Sequence, residues 1–301
     1  MDPTRRLPEA FVDHVRTFVD SGQPVAEPRD ASTVVLLRDG DGEPGGLEVY
    51  LLRRVDQMAF AGGFCVFPGG GVDQRDFDHE IGWAGPSPSQ WATLLATTEQ
   101  HARALVCAAV RETFEESGVL LAGPTASSVV ADTTAEDWEA DRRALEAREL
   151  SFTSFLAQRG LVLRTDLLGF WGSWITPVFE PRRYDTRFFV AALPEGQVTR
   201  DVSTESSHVL WKPVREVIAD VDADRLAMLP PTYATCLELY AATSVAEAIA
   251  SADSRDRTPI LPEMQVDDDG GYLELPERLV ALGESVGRSL DEVPGLRGRR
   301  G

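Results

Sequence analysis

The sequence predicts an α/β fold: a mixed β-sheet layered between helices as an α/β/α sandwich, with an added N-terminal helix, an insertion and a C-terminal helical segment. Three observations predict it. Strand-like apolar runs at 32–38, 47–53, 174–179 and 187–193 alternate with stretches of helical periodicity, the pattern of layered mixed-sheet proteins. The 301 residues, 43% of them hydrophobic, are enough for one large domain with attached segments. No apolar run approaches the roughly 20 residues that a membrane span needs. The expected division is an N-terminal helix and linker over 1–30, a main domain over 31–250 with an insertion at about 73–100, and an acidic C-terminal tail with a short helix over 251–301.

Each element has a local reason. Leu7, Phe11, Val15 and Phe18 recur at helical spacing. Mixed charges and the lack of a long apolar stretch argue against a secretory signal there. The runs 32–38 and 47–53 read as strands flanking a hairpin-type loop, Asp39-Gly40-Asp41-Gly42-Glu43-Pro44-Gly45-Gly46. Phe64 to Phe67 reads as a short buried strand that Pro68 and the following glycines end. Gly82, Gly85, Pro86 and Pro88 mark the insertion as loop, with a short helix from Ser89. Leu105, Val106, Ala109, Val110, Thr113 and Phe114 form one helical stripe, which Gly118 is placed to close. Residues 134–159 read as a helical stretch anchored by Trp138, Leu145, Leu150, Phe152 and Phe155. Residues 209–211 read as short and extended, Pro213 as the start of a helix, and 233–250 as a helix able to pack across the sheet. The tail from Ser251 is acidic and Gly-rich before a helix at 276–282.

The chemistry lies in Arg111-Glu112-Thr113-Phe114-Glu115-Glu116-Ser117-Gly118-Val119. On a helix, Glu112, Glu115 and Glu116 share a face. They sit at its C-terminal end, where the helix dipole also disfavours anions. The expected face is outward. A solvated acidic surface is one explanation; the other is a site for a hard divalent cation, which prefers carboxylate oxygens. A second element favours the cation. Phe67-Pro68-Gly69-Gly70-Gly71-Val72-Asp73 is a glycine turn that lets backbone approach a ligand closely.

Together these segments resemble the Nudix hydrolase family. Its signature is Gly, five residues, Glu, seven residues, then Arg-Glu-aliphatic-x-Glu-Glu-x-Gly-aliphatic. Gly70 matches the first position, and Arg111, Glu112, Glu115, Glu116, Gly118 and Val119 match the second half, with Thr113 in place of an aliphatic residue. Asp76 stands five residues after Gly70, where the family has Glu. Arg111 falls 27 residues later than the signature requires (111 against 84), so the box is split by an insertion. A branch similar to peroxisomal coenzyme A diphosphatases has an interrupted box too. Its features recur at Phe67-Pro68-Gly69-Gly70, Trp174-Ile175-Thr176-Pro177, Arg183-Tyr184-Asp185-Thr186-Arg187-Phe188-Phe189 and Leu229-Pro230-Pro231-Thr232. Of the motif that coenzyme A-cleaving members often show before Phe-Pro-Gly-Gly, Arg54 and Gly63 are present, while Leu52, Val55 and Ala59 depart from it. The loss at Ala59 removes an arginine suited to phosphate oxygens.

The resemblance implies hydrolysis of a diphosphate linkage in a nucleoside diphosphate derivative, with coenzyme A or an acyl derivative as one candidate. ADP-ribose, dinucleotides and a non-catalytic nucleotide sensor are the alternatives. It implies Mg²⁺ or Mn²⁺ held by Glu115 and Glu116 with the Gly70 carbonyl nearby. Glu112 is carried over as ligand or general base, Arg111 as the residue that orients the glutamates, and Arg54, Gly69 and Gly70 as substrate contacts. Many members add an acid from a distant loop. Glu205, six residues before Trp211, is the candidate here, and a surface role is its alternative.

Charge and composition narrow the classes further. The net charge is −20, and the one lysine, Lys212, stands against 28 arginines (29 basic residues less one). Such a chain repels nucleic acid backbones, and it repels a diphosphate as well unless cations intervene. No Walker-type Gly-Lys, Gly-x-Ser-x-Gly elbow or Cys-x-x-Cys pair occurs. Asp220, Asp222 and Asp224 imitate a calcium loop, but Arg225 and Pro231 occupy its glycine and closing-glutamate positions, so a solvated helix end is expected. Cys65, Cys107 and Cys236 are expected to be buried reduced thiols of a cytoplasmic protein. Trp174, Phe188 and Phe189 are expected in the core or a cleft wall, and His14, His79, His101 and His208 outside catalysis. The expected partner is a small-molecule diphosphate, with no nucleic acid and no membrane. The insertion and tail are the surfaces that could cover the cleft or make a homodimer.

Overall fold

The computed structural model of the chain describes residues 9–40, 46–55, 63–77, 81–267, 270–286 and 296–298. Helix α1 (Glu9–Ser21) leads into β1 (Arg29–Asp39), and β2 (Leu47–Arg54) returns beside it. Two short strands follow, β3 (Cys65–Val66) and β4 (Gly69–Gly71). Next come a 3₁₀ turn at Gln74–Phe77, β5 (Gly82–Ala84), α2 (Pro88–Leu94) and the long α3 (Glu99–Ser117). The chain continues through β6 (Ala122–Gly123), α4 (Glu136–Glu146), α5 (Phe152–Arg159), β7 (Val162–Arg164), β8 (Gly169–Ile175), β9 (Tyr184–Ala192) and β10 (Ser206–Pro213). Helices α6 (Val214–Asp222), α7 (Pro230–Leu239) and α8 (Val245–Ser251) precede β11 (Glu263–Asp267), β12 (Gly270–Leu275), α9 (Glu277–Ser285) and β13 (Leu296–Gly298).

The main sheet runs β10-β2-β1-β9-β8, with β3 on β2 and β4 on β1. It is mixed: β1 and β9 are parallel, and the other pairs are antiparallel. The centre of β1 is an apolar run, Val34 to Leu37, because helices cover both faces of the sheet. Val34 and Leu36 join Leu105, Val106, Ala109, Val110 and Phe114 of α3 in one core. Val35 and Leu37 join Val217, Ile218 and Leu237 of α6 and α7 in the other. The expected α/β/α layering is therefore observed.

Several elements differ from the sequence reading. The described part of the insertion carries a strand and a helix rather than mostly loop. Ser87 and Gln90 form a capping box on α2, Trp91 is buried, and β5 pairs with β7 in a second small sheet. The stretch 134–159 is two helices. Arg148 adopts positive φ between them, and Ser151 caps α5. The stretch 233–250 likewise divides into α7, which begins earlier at Pro230, and α8, capped by Ser244. The strand expected at 174–179 ends at Ile175 and begins at Gly169; its two glycines, Gly169 and Gly172, hid the start. Beyond Ile175, Pro177 has no amide to donate to a neighbouring strand.

The tail after 251 also carries more than a helix. It contains the β11–β12 pair, and Ile260, Leu275 and Leu279 are buried in the main core. Cys65, Cys107 and Cys236 are free and buried. Trp174, Phe188 and Phe189 are core residues as expected. Asp220 pairs with Lys212 and Arg225 at a helix end. Leu7, the central part of the 39–46 loop, Ala59 and His79 lie outside the described residues.

Candidate active site

The site forms where the C-terminal half of α3 crosses β4. Gly118 ends the helix in the left-handed conformation, with φ 75°, as a glycine cap permits. The acidic face of α3 is not outward: Glu112, Glu115 and Glu116 turn toward the glycine strand and are largely buried. The reason is steric. A Cβ on Gly70 would lie 2.5 Å from Oε1 of Glu112, so only glycine leaves room for the carboxylate against the β4 backbone. The Gly69 amide donates to Oε2 of Glu116 at 2.8 Å.

Arg111 holds this face together. Its NH1 donates to Glu112 at 2.7 Å and Glu115 at 3.3 Å, and its NH2 donates to the Gly71 carbonyl at 3.0 Å. Its other partner is Asp76, reached by Nε at 3.0 Å and NH2 at 2.9 Å. Asp76 is only 2% exposed. Thus the acid five residues after Gly70 meets Arg111 across the insertion. Burial disfavours the Arg111 cation, but Glu112, Asp76 and Glu115 outweigh it and raise its pKa.

The carboxylates are crowded. Burial, reinforced by Glu112, pushes Glu115 up to about 7 against the pull of Arg111. Burial and then the Glu112 charge push Glu116 well above the usual range. Glu112 is raised mainly by burial, and Arg111 opposes the rise. Repulsion from Glu205 contributes at both Glu112 and Glu116, which places that distant acid in the field of the trio. Glu205 sits just before β10 on β2's outer flank, half-exposed, and accepts from Arg54 NH2 at 2.9 Å. Arg54, at the end of β2, thereby joins the same face.

The structure therefore brings together every residue singled out in the sequence: Arg54, Gly69, Gly70, Arg111, Glu112, Glu115, Glu116 and Glu205. Among the described residues no three His, Cys, Asp or Glu side chains form a ready-made metal cage. Arg111 and the Gly69 amide hold the carboxylates instead. The donor chemistry still fits a hard divalent cation, since oxygen ligands dominate and their mutual repulsion calls for positive charge.

This geometry agrees with the comparisons. The sequence profile of the NUDT19 Nudix domain matches residues 95–238. A crystal structure of a NUDIX hydrolase from Alicyclobacillus acidocaldarius superposes with a TM-score of 0.64 at 27% identity, covering 75% of this chain and 97% of that one. The chain is thus similar to Nudix hydrolases in sequence profile and in fold. Among curated relatives, the acyl-coenzyme A diphosphatase NUDT19 of Gallus gallus is 27% identical over 253 residues, 68% of this chain and 66% of that protein. The Xenopus laevis protein of the same name is 24% identical over 220 residues, 62% of this chain and 58% of its own length. The chain thus spans under two thirds of the length of those relatives.

Sequence reasoning marked Asp76 by its spacing to Gly70 but gave it no partner, and it passed over Arg142 of α4, which is 2% exposed and donates at 2.7 Å to the carbonyl of Glu115, across a gap of 27 residues that no motif marks.

Proposed function

We propose that this protein hydrolyses the diphosphate linkage of a nucleoside diphosphate derivative, with coenzyme A or acyl-coenzyme A as the favoured substrate class, in the presence of Mg²⁺ or Mn²⁺. The observation that carries this is the buried carboxylate trio Glu112, Glu115 and Glu116 closed around the Gly69–Gly71 strand. The name of the Gallus gallus and Xenopus laevis relatives, acyl-coenzyme A diphosphatase, supports the substrate class.

Glu112, Glu115 and Glu116 would hold the cations, which when bound neutralise phosphate oxygens and lower the pKa of an attacking water. Arg111 keeps Glu112 and Glu115 in one orientation while Asp76 anchors its far side. Glu205 or Glu112 accepts the proton of the water. Arg54, already at the mouth beside Glu205, contacts phosphate oxygens.

The test is a substrate panel of coenzyme A, an acyl-coenzyme A, ADP-ribose and a dinucleoside polyphosphate, assayed with Mn²⁺ and with a chelator. Coenzyme A should yield adenosine 3′,5′-bisphosphate and 4′-phosphopantetheine only when metal is present. Cleavage confined to ADP-ribose or the dinucleotide would reject the substrate class. Binding without turnover across the panel would reject catalysis.

A further inference from the structure

Helix α4 carries Glu139, Arg142 and Glu146 on one face, the outer two seven residues apart. Arg142 lies between them, donating to Glu139 at 2.9 Å, to Glu146 at 3.1 Å and to the Glu115 carbonyl at 2.7 Å. The two glutamates then reach opposite ends of the segment that carries Glu205. Glu139 accepts from Arg200 NH1 at 2.8 Å, and the Arg200 amide donates to the Ser117 carbonyl at 2.9 Å. Glu146 accepts both the amide of Thr204 at 3.0 Å and its hydroxyl at 2.8 Å. One buried cation therefore ties the end of the carboxylate helix to the residue next to Glu205.

The Glu205 carbonyl accepts from the Val55 amide at 3.0 Å, which pins its backbone but not its carboxylate. Its own side chain is 53% exposed, and its pairing with Arg54 is a surface salt bridge, an interaction worth about 0–1 kcal/mol. The bonds to Glu146 are charge-assisted, and Glu146 is held by a cation that is itself buried. We infer that Glu146 is a positioning residue: through Thr204 it holds the Glu205 carboxylate facing Glu112 and Glu116. The inference rests on the proposal above that these acids act together in diphosphate hydrolysis.

The experiment uses the full chain in four forms: wild type, Glu146→Ala, Glu205→Gln and the double variant, with Glu146→Gln as the conservative control. For Glu146→Ala, kcat should fall about 10-fold with KM within about twofold, the split expected when a positioned group rather than substrate binding is disturbed. In the Glu205→Gln background the same change should cost nothing further, because its effect passes through Glu205. Glu146→Gln keeps an acceptor for Thr204 and should recover most of the rate. Amide exchange at Thr204 should rise in Glu146→Ala. Losses that multiply in the double variant, or unchanged exchange at Thr204, would overturn the inference. Should Glu146→Ala fail to fold, Thr204→Val, which removes only the hydroxyl contact, is expected to lower kcat about threefold with the same dependence on Glu205, and no change would count against the tie. If the wild type cleaves no diphosphate, the functional proposal fails separately. Exchange at Thr204 in wild type and Glu146→Ala then decides the positioning claim alone.

Discussion

At the scale of single residues, Arg111 meets Glu112, Glu115 and Asp76 at once, and removing the Asp76 charge weakens the acceptor that holds its buried Nε. Asp76→Asn is expected to destabilise the fold by about 3–5 kcal/mol, read as a fall in the denaturant midpoint. It should also lower activity, because Arg111 loses its anchor. Glu116→Gln is expected to keep the fold and lower kcat by about 100-fold or more. Gly70→Ala drives a methyl group into the Glu112 carboxylate. A displacement of that kind is expected to cost about 100-fold in kcat. Glu112, Glu115 and Glu116 were legible as a group from spacing alone, but their direction was not. An amphipathic count assigns acids to water, and only the glycine strand packed against them shows that they turn inward.

The same residues set a pH dependence. The Glu115 carboxyl, normally near 4.5, is pushed up to about 7 by burial and its anionic neighbour Glu112. Between those values the folded state holds a proton that the unfolded state has released. The sign is therefore negative with rising pH: stability is highest below about 4.5 and is lost as pH climbs through 7. In chelator, the melting temperature should fall by roughly 2–4 °C per pH unit across this window, corresponding to about 1.4 kcal/mol per unit. If Mn²⁺ is held by the ionised carboxylates as proposed, it should raise the melting temperature more at pH 8 than at pH 5. A melting temperature that rises over the window in chelator would contradict this assignment.

At the scale of elements, the strands with unbroken apolar runs were the most legible. The β1 run and the Phe188–Ala191 run of β9 are buried on both faces, and burial of that kind writes itself into composition. Breaks within helices were not legible. Residues 134–159 keep helical periodicity across a turn where Arg148 takes positive φ, a local event that pattern counting averages away. The insertion was misread because its glycines and prolines signal loop, while its order comes from Trp91 packing on Phe189 and from pairing with β7. Those are long-range contacts. Trp91→Ala is accordingly expected to cost about 3–5 kcal/mol, measured by chemical denaturation. An unchanged midpoint would mean that the insertion is a surface appendage.

At the scale of the whole molecule, two apolar cores sandwich the sheet, and the site lies at the edge of one of them beside α3. The segment after 251 looked like a polar tail because its composition is acidic, yet Ile260 pairs with Trp174 and, with Leu275 and Leu279, completes the second core. Glu238 of α7 adds a polar lock, accepting from Trp171 at 2.7 Å and pairing with Arg255 at 2.5 Å. A chain truncated after residue 251 is therefore expected to lose cooperative unfolding and to expose apolar surface to a hydrophobic dye. Retention of a sharp, wild-type transition would show that the tail is dispensable. The charge of −20 belongs to this scale too. Under the proposed function a polyanionic substrate would approach a polyanionic protein, so cations held at the glutamate trio would serve encounter as well as chemistry.

The most direct measurement is a calorimetric titration of Mn²⁺ into the wild type and Glu116→Gln, at pH 8 with a non-hydrolysable coenzyme A analogue present. Binding to the wild type and a loss of at least about 10-fold in affinity in the variant are expected. Equal Mn²⁺ affinity in the two proteins, or none in either, would contradict a cation site built on Glu112, Glu115 and Glu116.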